Sequence, residues 1–137
     1  MNMKTTILVA GLMLSVVISP GLYAAGADSA LDKYRAEGGS NFSATAGEQL
    51  WNREVISTKD NKVRSCDSCH SDNLKQAGKH PKTGKEIKPM APLVNPARYT
   101  KVKKIEKWFK RNCKWTWARE CSPQEKGDLL TYLTNYK

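Results

Sequence analysis

Apolar residues recur at helical spacing in three separate stretches of this chain. From Ser43, a residue suited to cap a helix, Ala46, Leu50 and Trp51 form one stripe to about Val55. From Thr100 to about Asn112, the stripe is Val102, Ile105, Trp108 and Phe109, and the lysines between them face water. Ser122-Pro123-Gln124-Glu125 is a capping box with proline at the first helical position, and Leu129, Leu130, Tyr132 and Leu133 follow it. Asp28 to Asn41 reads as a short helix followed by a flexible Gly38-Gly39-Ser40-Asn41 connector. Gly47 interrupts the first stripe, at a cost of about 1 kcal/mol in a helix interior. A close crossing with the last helix would explain that cost. Between the helices, Lys88-Pro89-Met90-Ala91-Pro92 and Asn95-Pro96 predict a stiff irregular segment, because proline fixes φ and removes a donor. No strand pattern stands out, so the expected class is all-α.

The N-terminus has a different pattern. Lys4 precedes an unbroken apolar run from Ile7 to Ile18, ended by Pro20-Gly21. Leu22-Tyr23-Ala24 and Ala25-Gly26-Ala27 both fit a leader cleavage site. The run is shorter than the roughly 20 apolar residues that span a bilayer. Residues 1–27 are therefore read as a secretory signal peptide, and stable membrane insertion is not expected. Residues 28–43 are read as an N-terminal extension or linker, and 44–137 as one domain. The whole chain carries 23 basic and 13 acidic residues, a formal net charge of +10. The leader removes only Lys4, leaving +9. Such a surface suits an acidic protein partner through electrostatic steering. No nucleic-acid-binding motif accompanies the charge.

The chemistry lies at Cys66-Asp67-Ser68-Cys69-His70. A C-x-x-C pair alone is compatible with half a zinc site or a thioredoxin-like redox pair. Zinc needs two more ligands, and Cys113 and Cys121 are too widely spaced for a knuckle. No βαβ context for a redox pair is readable. The adjacent histidine fits a third chemistry, the covalent attachment of one haem c through two thioethers, with His70 as proximal iron ligand. Export agrees with that reading, because haem attachment and disulfides belong outside the reducing cytosol. The remaining cysteines, Cys113 and Cys121, form the expected disulfide.

Four side chains are candidates for the far side of the iron. His80 lies in a Lys- and Gly-rich loop. Met90 would give a His/Met electron carrier, and its flanking prolines could present it rigidly. Asn95 precedes a proline and is equally a turn former. Asn112 lies four residues after Trp108, on the same helix face, and immediately precedes Cys113. Spacing alone does not lift Asn112 above Met90.

From Ser65 to Leu133 the chain resembles the SHP family of high-spin class I cytochromes c. The matching segments are Arg64-Ser65-Cys66 with Cys69-His70, Thr83-Gly84-Lys85-Glu86-Ile87 and Pro89-Met90-Ala91-Pro92. Val102, Glu106-Lys107-Trp108, Arg111-Asn112-Cys113, Arg119-Glu120-Cys121 and Glu125-Lys126-Gly127-Asp128 also match. The resemblance implies a class I cytochrome c fold of short helices around the haem, with Trp108 against it. It implies Asn112 as a redox-labile distal ligand and Cys113–Cys121 as the disulfide. It further implies binding of O2, NO or CO at ferrous iron. A di-haem cytochrome c would be the electron donor, with a membrane cytochrome b behind it, in the periplasm. Turnover of O2 or NO as a terminal oxidoreductase is left open. The alternative is a simple His70/Met90 electron carrier.

Overall fold

The computed structural model describes residues 25–137. The apolar run and the first 24 residues of the expected leader lie outside the described residues; Ala25–Ala27 lie within them. The elements in chain order are α1 (Ala25–Ala36), α2 (Ala44–Asn52), β1 (Val55–Ile56), β2 (Val63–Arg64), α3 (Asp67–His70), β3 (Gly78–Lys79), β4 (Glu86–Ile87), α4 (Val102–Trp117) and α5 (Pro123–Asn135). Helices dominate. The strands form two antiparallel ladders of two residues each, Val55↔Arg64 with Ile56↔Val63 and Gly78↔Ile87 with Lys79↔Glu86. Runs this short leave no alternation to read in the sequence.

The first and last helices of the expected domain cross at Gly47. A side chain there would collide with the Asp128 carbonyl and the Tyr132 Cβ of α5, so only hydrogen fits. Asp128 fixes the angle of approach, because its buried carboxylate accepts a hydrogen bond from the Ser43 amide at 2.8 Å. Ser43 in turn caps α2 by accepting from the Ala46 amide at 3.2 Å. The α5 capping box is present in both directions, between Ser122 and Glu125.

α1 is a packed element. Ala30 and Tyr34 are completely buried, in an apolar cluster with Ala27, Ile105 and Leu130. The main cluster holds Trp51, Leu74, Met90, Cys113, Trp117, Leu129, Tyr132 and Leu133, and Tyr99 and Phe109 touch both. Glu106 of α4 closes α1 over the rest. Its carboxylate accepts from the Tyr34 hydroxyl, from Lys33 at 3.1 Å and from Lys126 of α5 at 3.5 Å.

α4 departs from expectation at both ends. Its N-cap is Lys101, and the Thr100 hydroxyl donates to the Ala97 carbonyl instead of capping. The helix also continues beyond Asn112 through Trp117, ending where Ala118 turns left-handed at φ 56°. The cause is that the apolar stripe does not stop: Ile105, Phe109, Cys113, Thr116 and Trp117 keep helical spacing toward the core. Trp115-Thr116-Trp117 is thus part of the helix, beyond the end expected near Asn112. The Cys113–Cys121 disulfide is present, with its Cα atoms 5.7 Å apart.

Candidate haem-attachment site

The candidate attachment segment, Cys66 to His70, is a single helical turn. The Cys66 carbonyl accepts from the amides of Cys69 and His70, at 3.3 and 3.2 Å. Ser65 bonds both Asp67 and Ser68 around its start. Two neighbours hold the turn. On one side the Cys66 amide donates to the Trp51 carbonyl at 3.1 Å, and the Trp51 ring lies 5.4 Å from the His70 ring. On the other side β3 presses on it so closely that a side chain at Gly78 would overlap the Cys69 carbonyl and the His70 Cα.

Both thiols are free. Burial is the main reason the Cys66 thiol is pushed up to about 12, and burial also raises Cys69. That is opposite to the lowered pKa of a thioredoxin-like redox pair. Burial pushes His70 down to about 4, with the Arg98 charge adding to the effect, so the imidazole is neutral. Its Nδ1 is buried without a hydrogen-bond partner among the described residues. Two unoxidised thiols three positions apart and a neutral imidazole are the donor set that haem c requires. Trp108, an apolar stripe residue, remains 42 % exposed beside the half-buried Asn112, with the Arg111 guanidinium 5.1 Å from its ring centre. The residues present fit a haem c.

The other candidates separate clearly in their surroundings. His80 is exposed at the β3–β4 turn, where its Nδ1 accepts from the amides of Lys82 and Thr83, both at 3.3 Å. Asn95 donates through Nδ2 to the Pro89 carbonyl at 2.9 Å, bracing the proline-rich loop. Met90 is buried in the main cluster with Trp51 and Cys113, and its backbone is held by the Leu74 and Tyr99 side of the loop. Asn112 sits on α4 next to the disulfide. Met90, Cys113 and Trp117 thus converge on the apolar cluster against which Cys66 packs.

Arg64 is a contributor that spacing did not reveal. From β2 it donates to the Trp115 carbonyl at 2.9 Å and stacks 3.9 Å from that ring's centre. It therefore ties the strand leading into Cys66 to the last turns of α4, the helix carrying Asn112. The signals in the sequence were its position two residues before Cys66 and its place in the matching Arg64-Ser65-Cys66 segment.

Residues 37–133 match the family described as "Domain of unknown function (DUF1924)". Cytochrome c'' of Methylophilus methylotrophus is 41% identical over 91 residues, 66% of this chain and 62% of that protein. The cytochrome c-type protein SHP of Cereibacter sphaeroides is 39% identical over 100 residues, 73% of this chain and 76% of that one. The match thus spans less than two thirds of the cytochrome c'' sequence. Among solved structures, oxidised cytochrome c'' from Methylophilus methylotrophus superposes with a TM-score of 0.72 at 35% identity, covering 82% of this chain and 95% of that one. Oxidised SHP, described as an oxygen-binding cytochrome c, gives 0.70 at 36% identity over 78% of this chain and 94% of its own.

Proposed function

This chain belongs to the DUF1924 family and shares the all-α fold of cytochrome c'' and SHP, and on that premise we propose that it is an exported monohaem c-type cytochrome that binds small gases. Haem c held here would supply a redox iron able to take up O2, NO or CO when ferrous. Cys66 and Cys69 are its thioether anchors and His70 its proximal ligand. The Cys66-Asp67-Ser68-Cys69-His70 turn, with its half-buried, neutral imidazole, is the observation that carries this assignment.

Asn112 is the distal ligand in this reading, with Trp108 packing beside it. An amide oxygen is a hard, weak-field donor, matched to ferric iron better than to ferrous, which makes Asn112 redox-labile. The disulfide at Cys113 fixes the backbone from which it reaches. The oxygen-binding description of SHP supports the same site chemistry. An acidic redox protein, a di-haem cytochrome c fed by a membrane cytochrome b, is the proposed electron donor, in the periplasm.

Met90 supports the second reading, a His70/Met90 electron carrier, because it is buried in the cluster that Cys66 packs against. Carbon monoxide titration of the ferrous holoprotein separates the two. Binding without a competing strong ligand supports Asn112, and exclusion of CO in a low-spin spectrum overturns it. Asn112→Val is expected to keep covalent haem while changing the ferric spectrum, and Met90→Leu to leave the ligand spectrum in place. The reverse pattern assigns the iron to Met90.

A further inference from the structure

α4 carries a lysine stripe that its own fold does not neutralise. Lys103, Lys107 and Lys110 are exposed and line a groove between α1, α4 and the start of α5. The two acids in that groove are already engaged. Glu106 is held by Tyr34, Lys33 and Lys126, and Glu120 by Lys114 at 3.1 Å. Among the described residues, Lys103, Lys107 and Lys110 take part in no ion pair. Like charges three and four positions apart repel on a helix surface, so the stripe is unfavourable to the isolated chain. Cys121 lines the same groove. Its disulfide partner Cys113 directly follows Asn112.

We infer that this groove is the docking surface for an acidic electron-transfer protein. The inference rests on the reading above that the chain exchanges electrons with another protein, and it adds which face does so. A concave wall of three ammonium groups outside any ion pair, of which Lys110 also feels the Glu120 carboxylate, concentrates field on one approach direction and favours a negatively charged partner. The seated partner lies against the disulfide that anchors the helix bearing the candidate ligand. The second basic surface, the β3–β4 hairpin with Lys79, Lys82, Lys85 and Lys88, is less suited. Glu86 lies within it, and Lys82 is drawn over the Trp115 ring at 5.5 Å.

The test uses ferric holoprotein and reduced flavodoxin, an acidic one-electron donor. One electron passes from flavodoxin to the ferric iron, so flavodoxin is oxidised as the haem is reduced. The second-order rate is followed by stopped flow across a range of ionic strength. The double variant Lys107→Glu/Lys110→Glu is expected to lower the low-salt rate by about tenfold or more and to flatten its salt dependence. The hairpin variant Lys82→Glu/Lys85→Glu is expected to stay within about twofold of the parent. A groove variant within about twofold, or a larger loss in the hairpin variant, overturns the assignment. Unchanged circular dichroism and ferric spectra in both variants exclude a folding artefact. CO titration of the parent reports separately on the gas-binding reading, so each failure is recognisable by itself.

Discussion

Replacing Gly47 by alanine tests the crossing on which the candidate attachment site depends. In an isolated helix the change would stabilise by about 1 kcal/mol. Here the added methyl meets the Asp128 carbonyl and the Tyr132 Cβ, both fixed to the backbone of α5, so no side-chain rotation relieves it. Overpacking of this kind costs about 1–3 kcal/mol, and a rigid obstacle places it at the upper end. Moving α2 away also stretches the Ser43 amide bond to the buried Asp128 carboxylate, now 2.8 Å, a charged bond worth about 1.5–3 kcal/mol when intact. Partial loss of that bond roughly offsets the gain in helix propensity. The net expectation is a loss of about 3 kcal/mol, or a melting temperature lower by about 12 °C for a domain of this size. α2 also carries Trp51, whose carbonyl holds the Cys66 amide and whose ring adjoins His70, so the holoprotein spectrum is expected to shift as well. The assay is thermal unfolding of the holoprotein, with the exposed Gln49→Ala on the same helix as the propensity control. A Gly47→Ala protein that melts at or above the parent would refute the crossing as the reason for this glycine.

The Glu125 carboxylate is pulled down to about 2 chiefly by Arg119, which donates to it at 2.7 and 2.6 Å, with the Ser122 amide and Arg53 adding to the effect. Its folded pKa is depressed, so the stabilisation is complete above the unfolded value near 4.5 and is lost as pH falls toward 2. The shift converts to about 3 kcal/mol, taken as about 2 because Arg119 is half exposed. Glu125→Gln should therefore cost about 2 kcal/mol in denaturant unfolding at neutral pH and nearly nothing near pH 2; an equal cost at both would sink the assignment. Leader removal is expected after Ala24, not after Ala27. Gly26 and Ala27 are buried, and Gly26 packs against the Tyr99–Lys101 backbone, so both belong to the folded domain. Intact mass and N-terminal sequencing of the exported protein read this directly, and a chain beginning at Asp28 would contradict it.

The α5 capping box and the Gly47 crossing were legible because each is encoded within a few residues. A C-x-x-C-H spacing, a Ser-Pro-Gln-Glu cap and a glycine in an apolar stripe state their chemistry locally. Cysteine arithmetic did the same for Cys113 and Cys121. Only tertiary structure decided the rest. The end of α4 moved from Asn112 to Trp117 because Thr116 and Trp117 find a core to enter, which a stripe beside polar neighbours does not announce. Asn95 is engaged by the Pro89 carbonyl and His80 by its own turn, and neither contact could be told from composition. His70 is neutral because elements distant in sequence bury it, and Glu106 is engaged within the basic groove by Tyr34, 72 positions away. Helical period and covalent spacing are properties of a short stretch of chain. Burial, protonation and the charge left facing solvent depend on what the rest of the chain brings alongside.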